Sequence, residues 1–284
     1  MLLVTGATGK VGTALVEQLQ AQAMPFRALA HSPASYDRLK AQQIHAVLVP
    51  DVQTADLAAA FEGVDQLFLL TPTSLDQAAI EGALVDAAKQ AGVRHIVKQS
   101  ALGADDASVS IFGPHRESEE YLKQSGVGYT ILRPNLFMQN LGTIDVATIK
   151  QQNAIFNSAG DGLISQIDVR DIAAVAIAAF TNPKHASKIY DLTGPEALPY
   201  SEVAQKLTTA LVRTVQYVAL NDNDYQHALV SAGLPDWYAT GLSELYRFYR
   251  DGEAAAVTNT VEEVTGQPPR RLDGYLAENR ALFG

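Results

Sequence analysis

The chain has 284 residues, 47% apolar and 18% charged, with a formal net charge of -10 at pH 7 and no cysteine. That balance excludes disordered and fibrous classes, and the net acidity opposes phosphate backbones, so broad nucleic-acid binding would need a basic patch that "PPRR" at 268–271 is too short to form. The missing cysteines exclude disulfides, thiolate metal sites and cysteine nucleophiles, and the scattered histidines have no ligand spacing, so no metal is expected.

In chain order, "LLVTG" at 2–6 opens as a strand and runs into "TGATGKVG" at 5–12, then into a helical spacing of Val11, Leu15 and Leu19. Further short apolar runs follow: "FRALA" at 26–30, "AVLVP" at 46–50, "QLFLL" at 66–70, "HIVKQS" at 95–100 and "YTILRP" at 129–134. Each is apolar almost throughout, as strands buried on both faces are. Helical spacings separate them, for example Ala79, Ala83 and Ala87 with Leu84 and Ala88. Repeated β-α-β order predicts an α/β fold, a Rossmann-type doubly wound parallel sheet with helices on both faces.

The expected organisation is a dinucleotide-binding domain over 1–135, with a later strand near 160–195 rejoining the sheet, and a smaller, interleaved α/β lobe over 136–284. In that lobe "LFMQNLGTIDVATIKQ" predicts a helix over 136–151, "SAGDG" a turn at 158–162, and Asp168 and Asp171 the start of a helix. A strand in "KIYDLTG", a helix from Tyr200, a strand in "VQYVAL" and an aromatic helix in "WYATGLSELYRFYR" complete it. No apolar run reaches the length of a membrane span and no basic, apolar leader opens the chain, so a cytoplasmic protein with no membrane partner is expected.

Gly6, Gly9 and Gly12 directly follow a strand and directly precede an amphipathic helix, the context that gives such glycines a dinucleotide meaning. Gly6 allows the sharp turn, Gly9 the approach of a pyrophosphate and Gly12 close helix packing, while the helix N-terminus favours anions. At the end of the second strand, where NAD enzymes place an acid for the ribose, the chain reads Ala30-His31-Ser32-Pro33. With no carboxylate to repel a 2′-phosphate, and with His31, Ser32 and Lys10 able to bind one, NADP is favoured over NAD. A solvated loop histidine is the equal alternative for His31, and no arginine clamp is apparent there.

These motifs, with "GVDQLFLLTP" at 63–72, "HRESEEYLKQSGVGYTILRPNLFMQN" at 115–140, "QIDVRDIAAVAIAAF" at 166–180, "YDLTGPEALPYSEVA" at 190–204 and "EEVTGQPPR" at 262–270, give a chain that resembles the NmrA-like group of atypical short-chain dehydrogenase/reductases. That group includes quinone oxidoreductases, triphenylmethane reductases and dinucleotide-sensing regulators. The resemblance implies Thr8, Gly9, Lys10 and Val11 at the pyrophosphate, His31 and Ser32 near the adenosine ribose, and Asp51 and Val52 beside adenine. It implies Leu70, Thr71 and Pro72 at the nicotinamide ribose, Gln99, Ser100 and Ala101 at the end of the fifth strand, and Pro134, Asn135, Leu136 and Phe137 bordering nicotinamide and substrate. Many relatives carry arginine where this chain has His31.

Ordinary short-chain reductases use Tyr-x-x-x-Lys, and the match at Tyr36 to Lys40 is a decoy, because it follows the second strand rather than the fifth. The reacting position instead reads His115-Arg116-Glu117-Ser118-Glu119. His115 and Glu119, four apart on one helix face, are the expected catalytic pair; the bland alternative is that they merely hold the helix. The helix start disfavours an imidazolium, so a mostly neutral His115 would orient or hydrogen-bond a carbonyl. Phe137, Met138 and Asn140 are expected against the substrate, with Trp237, Tyr238 and Tyr246 as further wall candidates, although core packing is the better reading of Tyr246 and Phe248. The expected activity is hydride transfer from NADPH to a small planar acceptor, foremost a quinone. The rival is a non-catalytic NAD(P)-sensing regulator of a protein partner, and a sugar-nucleotide epimerase is disfavoured by the missing tyrosine. Homodimerisation is left open.

Overall fold

The structure is a computed structural model and describes residues 1–52 and 55–284. The strands are β1 (Leu2–Val4), β2 (Phe26–Ala30), β3 (Ala46–Leu48), β4 (Gln66–Leu69), β5 (His95–Gln99), β6 (Gly128–Pro134), β7 (Ala154–Asn157), β8 (Lys188–Leu192) and β9 (Gln216–Ala219). The helices are α1 (Lys10–Ala21), α2 (Pro33–Ala41), α3 (Ala55–Ala60), α4 (Gln77–Gln90), α5 (Gly113–Gln124), α6 (Val146–Gln152), α7 (Val169–Thr181), α8 (Tyr200–Leu211), α9 (Asp222–Ser231), α10 (Asp236–Arg250), α11 (Thr260–Thr265), α12 (Leu272–Glu278) and α13 (Arg280–Phe283). Two compact units divide the chain: Met1–Ala101, Pro114–Arg133 and Val169–Tyr190 form the first, and Leu102–Gly113, Pro134–Asp168 and Asp191–Gly284 the second.

In the first unit a sheet runs in the order β3-β2-β1-β4-β5-β6-β8, and the pairs from β3 through β6 are all parallel. Val4 lies opposite both Ala28 and Phe68, which places β1 at the centre. The order reverses at β1, so the sheet is the predicted doubly wound, Rossmann-type arrangement, and its switch point lies between β1 and β4. One apolar core gathers Leu3, Leu67, Leu69, Ile96 and Ile131 from strands with Phe61, Leu84, Val85 and Leu122 from α4, α5 and the segment after α3. Elsewhere in this unit α1 and α7 join through the Gln18 amide, which donates to the Arg170 carbonyl at 2.8 Å. The predicted stripe of α1, Val11, Leu15 and Leu19, is buried throughout.

Helix α4 forms where expected, and Leu84 and Ala88 of the predicted spacing are buried, but its inner face is rotated away from Ala79. Gln77, Glu81, Leu84, Val85 and Ala88 face inward, while Ala79 is exposed and Ala83 and Ala87 are half-buried. The rotation follows from Gln77 and Glu81, two polar residues of that face committed to a buried network described below.

In the second unit β7 and β9 pair in parallel, Phe156 opposite Val218. The helix expected over 136–151 is broken into a short 3₁₀ turn, Met138–Asn140, and α6. The cause is local: the Asn140 carbonyl accepts from the amides of Thr143, Ile144 and Asp145, a tight turn that does not propagate helix. Tyr200 stacks on Tyr217 and on Tyr246, Tyr225 meets Tyr246 edge-on, and Tyr249 packs on Tyr246. Burial pushes the phenols of Tyr200, Tyr225, Tyr246 and Tyr249 well up, and that of Tyr217 up to about 12. Tyr246 and Phe248 are thus core residues, while Trp237 and Tyr238 are half-buried. Among the described residues no helix is long and apolar enough to cross a membrane.

Candidate active site

The parallel strands of the first unit bring the chain segments after β1, β2, β3, β4 and β5 to one edge of its sheet. Thr5 fixes the first of them. Its hydroxyl donates to the Phe68 and Leu70 carbonyls at 3.0 and 2.9 Å and accepts from the Leu70 amide at 2.8 Å, tying the glycine turn to the end of β4. Gly6 has φ +64° and its carbonyl accepts from the Gly9 amide at 2.9 Å. A Cβ on Gly12 would lie 2.0 Å from the Gly6 oxygen, so close packing of α1 demands glycine there. Gly9 differs: its φ is -81°, it is exposed, and a Cβ would meet only the Gly6 oxygen, at 3.3 Å. No side chain caps α1 and no acid stands in its first turn, so its positive end is left for an external anion.

After β2 His31 is exposed, and Ser32 is the N-cap of α2, its hydroxyl accepting from the Ser35 amide at 3.2 Å. Two turns further along α2, the exposed Arg38 donates to the Thr8 carbonyl at 3.4 Å. This contact brings a guanidinium from the following helix beside the glycine turn. The decoy Tyr36 and Lys40 lie on the same helix. Asp51 is exposed and Val52 half-buried after β3. Leu70 and Thr71 are half-buried and Pro72 exposed after β4, while Gln99 and Ser100 are buried and Ala101 half-buried after β5.

Beside the ends of β4 and β5 lies a polar network sealed within the first unit. Lys98 on β5 and Glu81 on α4, both 0% exposed, form an ion pair. Glu81 also accepts from Ser118, from the Thr71 hydroxyl at 2.8 Å and from the Gln77 amide at 3.3 Å. Burial pushes the Glu81 carboxyl up, but the Lys98 ammonium and the hydrogen bonds of Lys98 and Ser118 outweigh it and hold it below its usual range. The Gln77 Nε2 stands 3.3 Å from His115 Nδ1. Burial, then the Lys98 charge, push His115 down to about 4, against opposing pulls from Glu81 and Glu119. The neutrality anticipated from the helix start is present, and its main causes are desolvation and a lysine that the sequence does not place nearby.

Glu119 does not pair with His115 through a hydrogen bond. Its carboxylate, 1% exposed, accepts from Ser100 Oγ at 2.6 Å and from Arg133 Nε and Nη2 at 2.9 and 2.5 Å. It ties α5 to the ends of β5 and β6 through a two-pronged ion pair with Arg133 and a bond from Ser100. Of the expected catalytic pair, only His115 has an edge left: its Nε2 makes no hydrogen bond to a described residue.

Within the second unit, Asn135 spends its amide on Ser165 and the Ala254 carbonyl at 2.8 and 2.9 Å, and its side-chain oxygen accepts from the Leu136 amide. Pro134 and Leu136 are buried and Met138 is 1% exposed, whereas Phe137 and Asn140 are half-buried. Asp168 directly precedes α7, and accepts from the Gln139 amide at 3.0 Å. Among the described residues no group of acids and histidines could hold a metal.

A parallel, doubly wound sheet whose edge opens on a glycine turn and an uncapped helix defines a Rossmann-type dinucleotide-binding protein. The chain belongs to the NmrA-like family, whose model matches residues 1–276. It is 37% identical to an NAD(P)H azoreductase of Xenophilus azovorans, over 100% of this chain and 99% of that one. It is 31% identical to quinone oxidoreductase 2 of Escherichia coli, over 96% of each. A solved structure of an NADPH-dependent quinone oxidoreductase from Escherichia coli, complexed with NADPH, matches 98% of this chain and 99% of its own with a TM-score of 0.87 and 30% identity.

Proposed function

We propose that the protein is an NADPH-dependent oxidoreductase that reduces a small planar acceptor, foremost a quinone. The observation that carries this reading is Gly9. Its φ of -81° is open to any residue and its backbone lies exposed at the uncapped end of α1, where a Cβ, 3.3 Å from the Gly6 oxygen, would crowd an approaching pyrophosphate. Full-length similarity to an azoreductase and to a quinone oxidoreductase supports a conjugated acceptor.

In this reading Gly6, Thr8, Gly9, Lys10, Val11 and Gly12 hold the pyrophosphate, and Asp51 and Val52 flank the adenine. His31 and Ser32 stand at the ribose, and Arg38 brings positive charge to a 2′-phosphate. Leu70, Thr71, Pro72, Gln99, Ser100 and Ala101 lie toward the nicotinamide, while Phe137 and Asn140 are the second unit's candidates for acceptor contact. Bound NADPH supplies a hydride. His115 offers a neutral ring edge to the acceptor oxygen, a role suited to a substrate whose reduced product is already stabilised. Glu119 positions α5 and takes no part in proton transfer. We place the activity in the cytoplasm; among the described residues no helix is long and apolar enough to cross a membrane.

Purified protein mixed with NADPH or NADH and a panel of quinones tests the reading through the loss of reduced-cofactor absorbance. Turnover with NADPH above that with NADH is expected. Tight NADPH binding with no turnover on any acceptor would overturn it in favour of a sensing role.

A further inference from the structure

The His115 ring is not left to choose its own tautomer. Lys98 and Glu81 form an ion pair fully removed from water, so Glu81 is a carboxylate and can only accept hydrogen bonds. Its Oε1 receives the Thr71 hydroxyl at 2.8 Å and the Gln77 side chain at 3.3 Å. That fixes which end of the Gln77 amide faces it. The NH₂ group must point at the carboxylate, since the flipped amide would set a carbonyl oxygen against a negative charge. The same nitrogen carries a second hydrogen and lies 3.3 Å from His115 Nδ1. Nδ1 meets a donor and must therefore be the lone-pair nitrogen.

We propose that Gln77 is a positioning residue: held by ionised Glu81, it donates to His115 Nδ1 and so keeps the imidazole neutral with its proton on Nε2, the edge that hydrogen-bonds the acceptor oxygen. This rests on the reductase reading for the acceptor and on the geometry of the first unit alone for the tautomer. The hydrogen bond stabilises the negative charge that builds on the acceptor oxygen as hydride arrives, and the proton that completes the hydroquinone comes from water. His115 thus acts as a donor and not as a base. The charged groups around it are Lys98 on β5, Glu81 on α4, and Glu119 on its own helix, the last neutralised by Arg133 of β6 and by Lys123. None of these hydrogen-bonds the ring, so the one contact that selects the tautomer is Gln77.

The test combines imidazole nitrogen NMR with kinetics, the His115 signal being assigned by its loss in His115→Gln. In the wild type the signal is expected to report a neutral ring protonated at Nε2 and unchanged from pH 8 down to about 5, consistent with a group pushed down to about 4. Gln77→Leu removes the donor without adding charge beside Glu81, so Nδ1 becomes free to carry the proton and His115 should show mixed tautomers and titrate at higher pH. Gln77→Met, of similar volume and apolar, should give mixed tautomers and lower kcat about tenfold, with KM for NADPH within about twofold. A wild-type ring protonated at Nδ1, or a His115 titration and tautomer unmoved in both variants, overturns the proposal. A wild type that oxidises no NADPH defeats the reductase reading instead, while the NMR result still decides the tautomer.

Discussion

A Cβ at Gly12 would collide with the backbone of Gly6 and Ala7, at 2.0 and 2.8 Å, whereas a Cβ at Gly9 meets one carbonyl oxygen at 3.3 Å. Gly12 is thus required by packing, whereas Gly9 is crowded by one carbonyl oxygen and, in the proposed reading, keeps the approach of a pyrophosphate open. Gly12→Val should yield no folded protein. Gly9→Val should melt within about 4 °C of the wild type yet bind no NADPH at concentrations that saturate the parent, measured by thermal unfolding and by cofactor fluorescence. A Gly9→Val protein that still binds NADPH would remove the phosphate turn from the site. The spacing of the glycines was legible in the sequence, because a tight turn and a close helix leave few residue types to choose from. Arg38 was not, because its reach to Thr8 depends on how α2 folds back after β2.

Helix α4 shows how polar burial defeats a periodicity argument. The rule that apolar residues mark the inner face finds α1 correctly, since Val11, Leu15 and Leu19 have no other partner than the core. In α4 the inner face begins with Gln77 and Glu81, residue types ordinarily turned to water, and Glu81 is held there by the Lys98 ion pair and by hydrogen bonds from Ser118, Thr71 and Gln77. Lys98 itself hides in "HIVKQS", a strand otherwise apolar enough to read as core. Removing one partner should expose the cost: Lys98→Met is expected to destabilise the protein by about 3–5 kcal/mol in urea unfolding, and adding Glu81→Leu to recover most of that loss. A double variant no more stable than Lys98→Met would mean that Glu81 is held chiefly by Ser118 and Thr71. The site lost legibility for the same reason, since His115 was visible as a lone histidine near a helix start while the network that sets its state spans α4, β5 and α5.

For the whole molecule, the alternation of strands and helices and an interleaved chain with a late strand were legible in the sequence, but not that Leu102–Gly113 belongs to the second unit. The first unit draws on three separated segments, and its last, Val169–Tyr190, supplies α7, whose Ile172, Val175, Ala176 and Ala179 are buried. Gln18 and Gln66 reach its Arg170 and Phe180 carbonyls at 2.8 and 2.9 Å. A fragment comprising residues 1–135 lacks that cover, and should be insoluble or lack dispersed amide NMR signals despite carrying the glycine turn and six strands. A well-dispersed spectrum from this fragment would show that the sheet needs neither α7 nor β8. The second unit, for its part, concentrates packed tyrosines: Tyr200, Tyr225, Tyr246 and Tyr249, all buried, with the half-buried Tyr217 stacked on Tyr200. Viewed as chromophores, these rings are a built-in optical label. Their coupled near-ultraviolet dichroism belongs to the second unit, and their phenols should resist alkaline ionisation until that unit opens. A melt followed in the near and far ultraviolet together would therefore reveal whether the two halves of the chain let go at one temperature or at two.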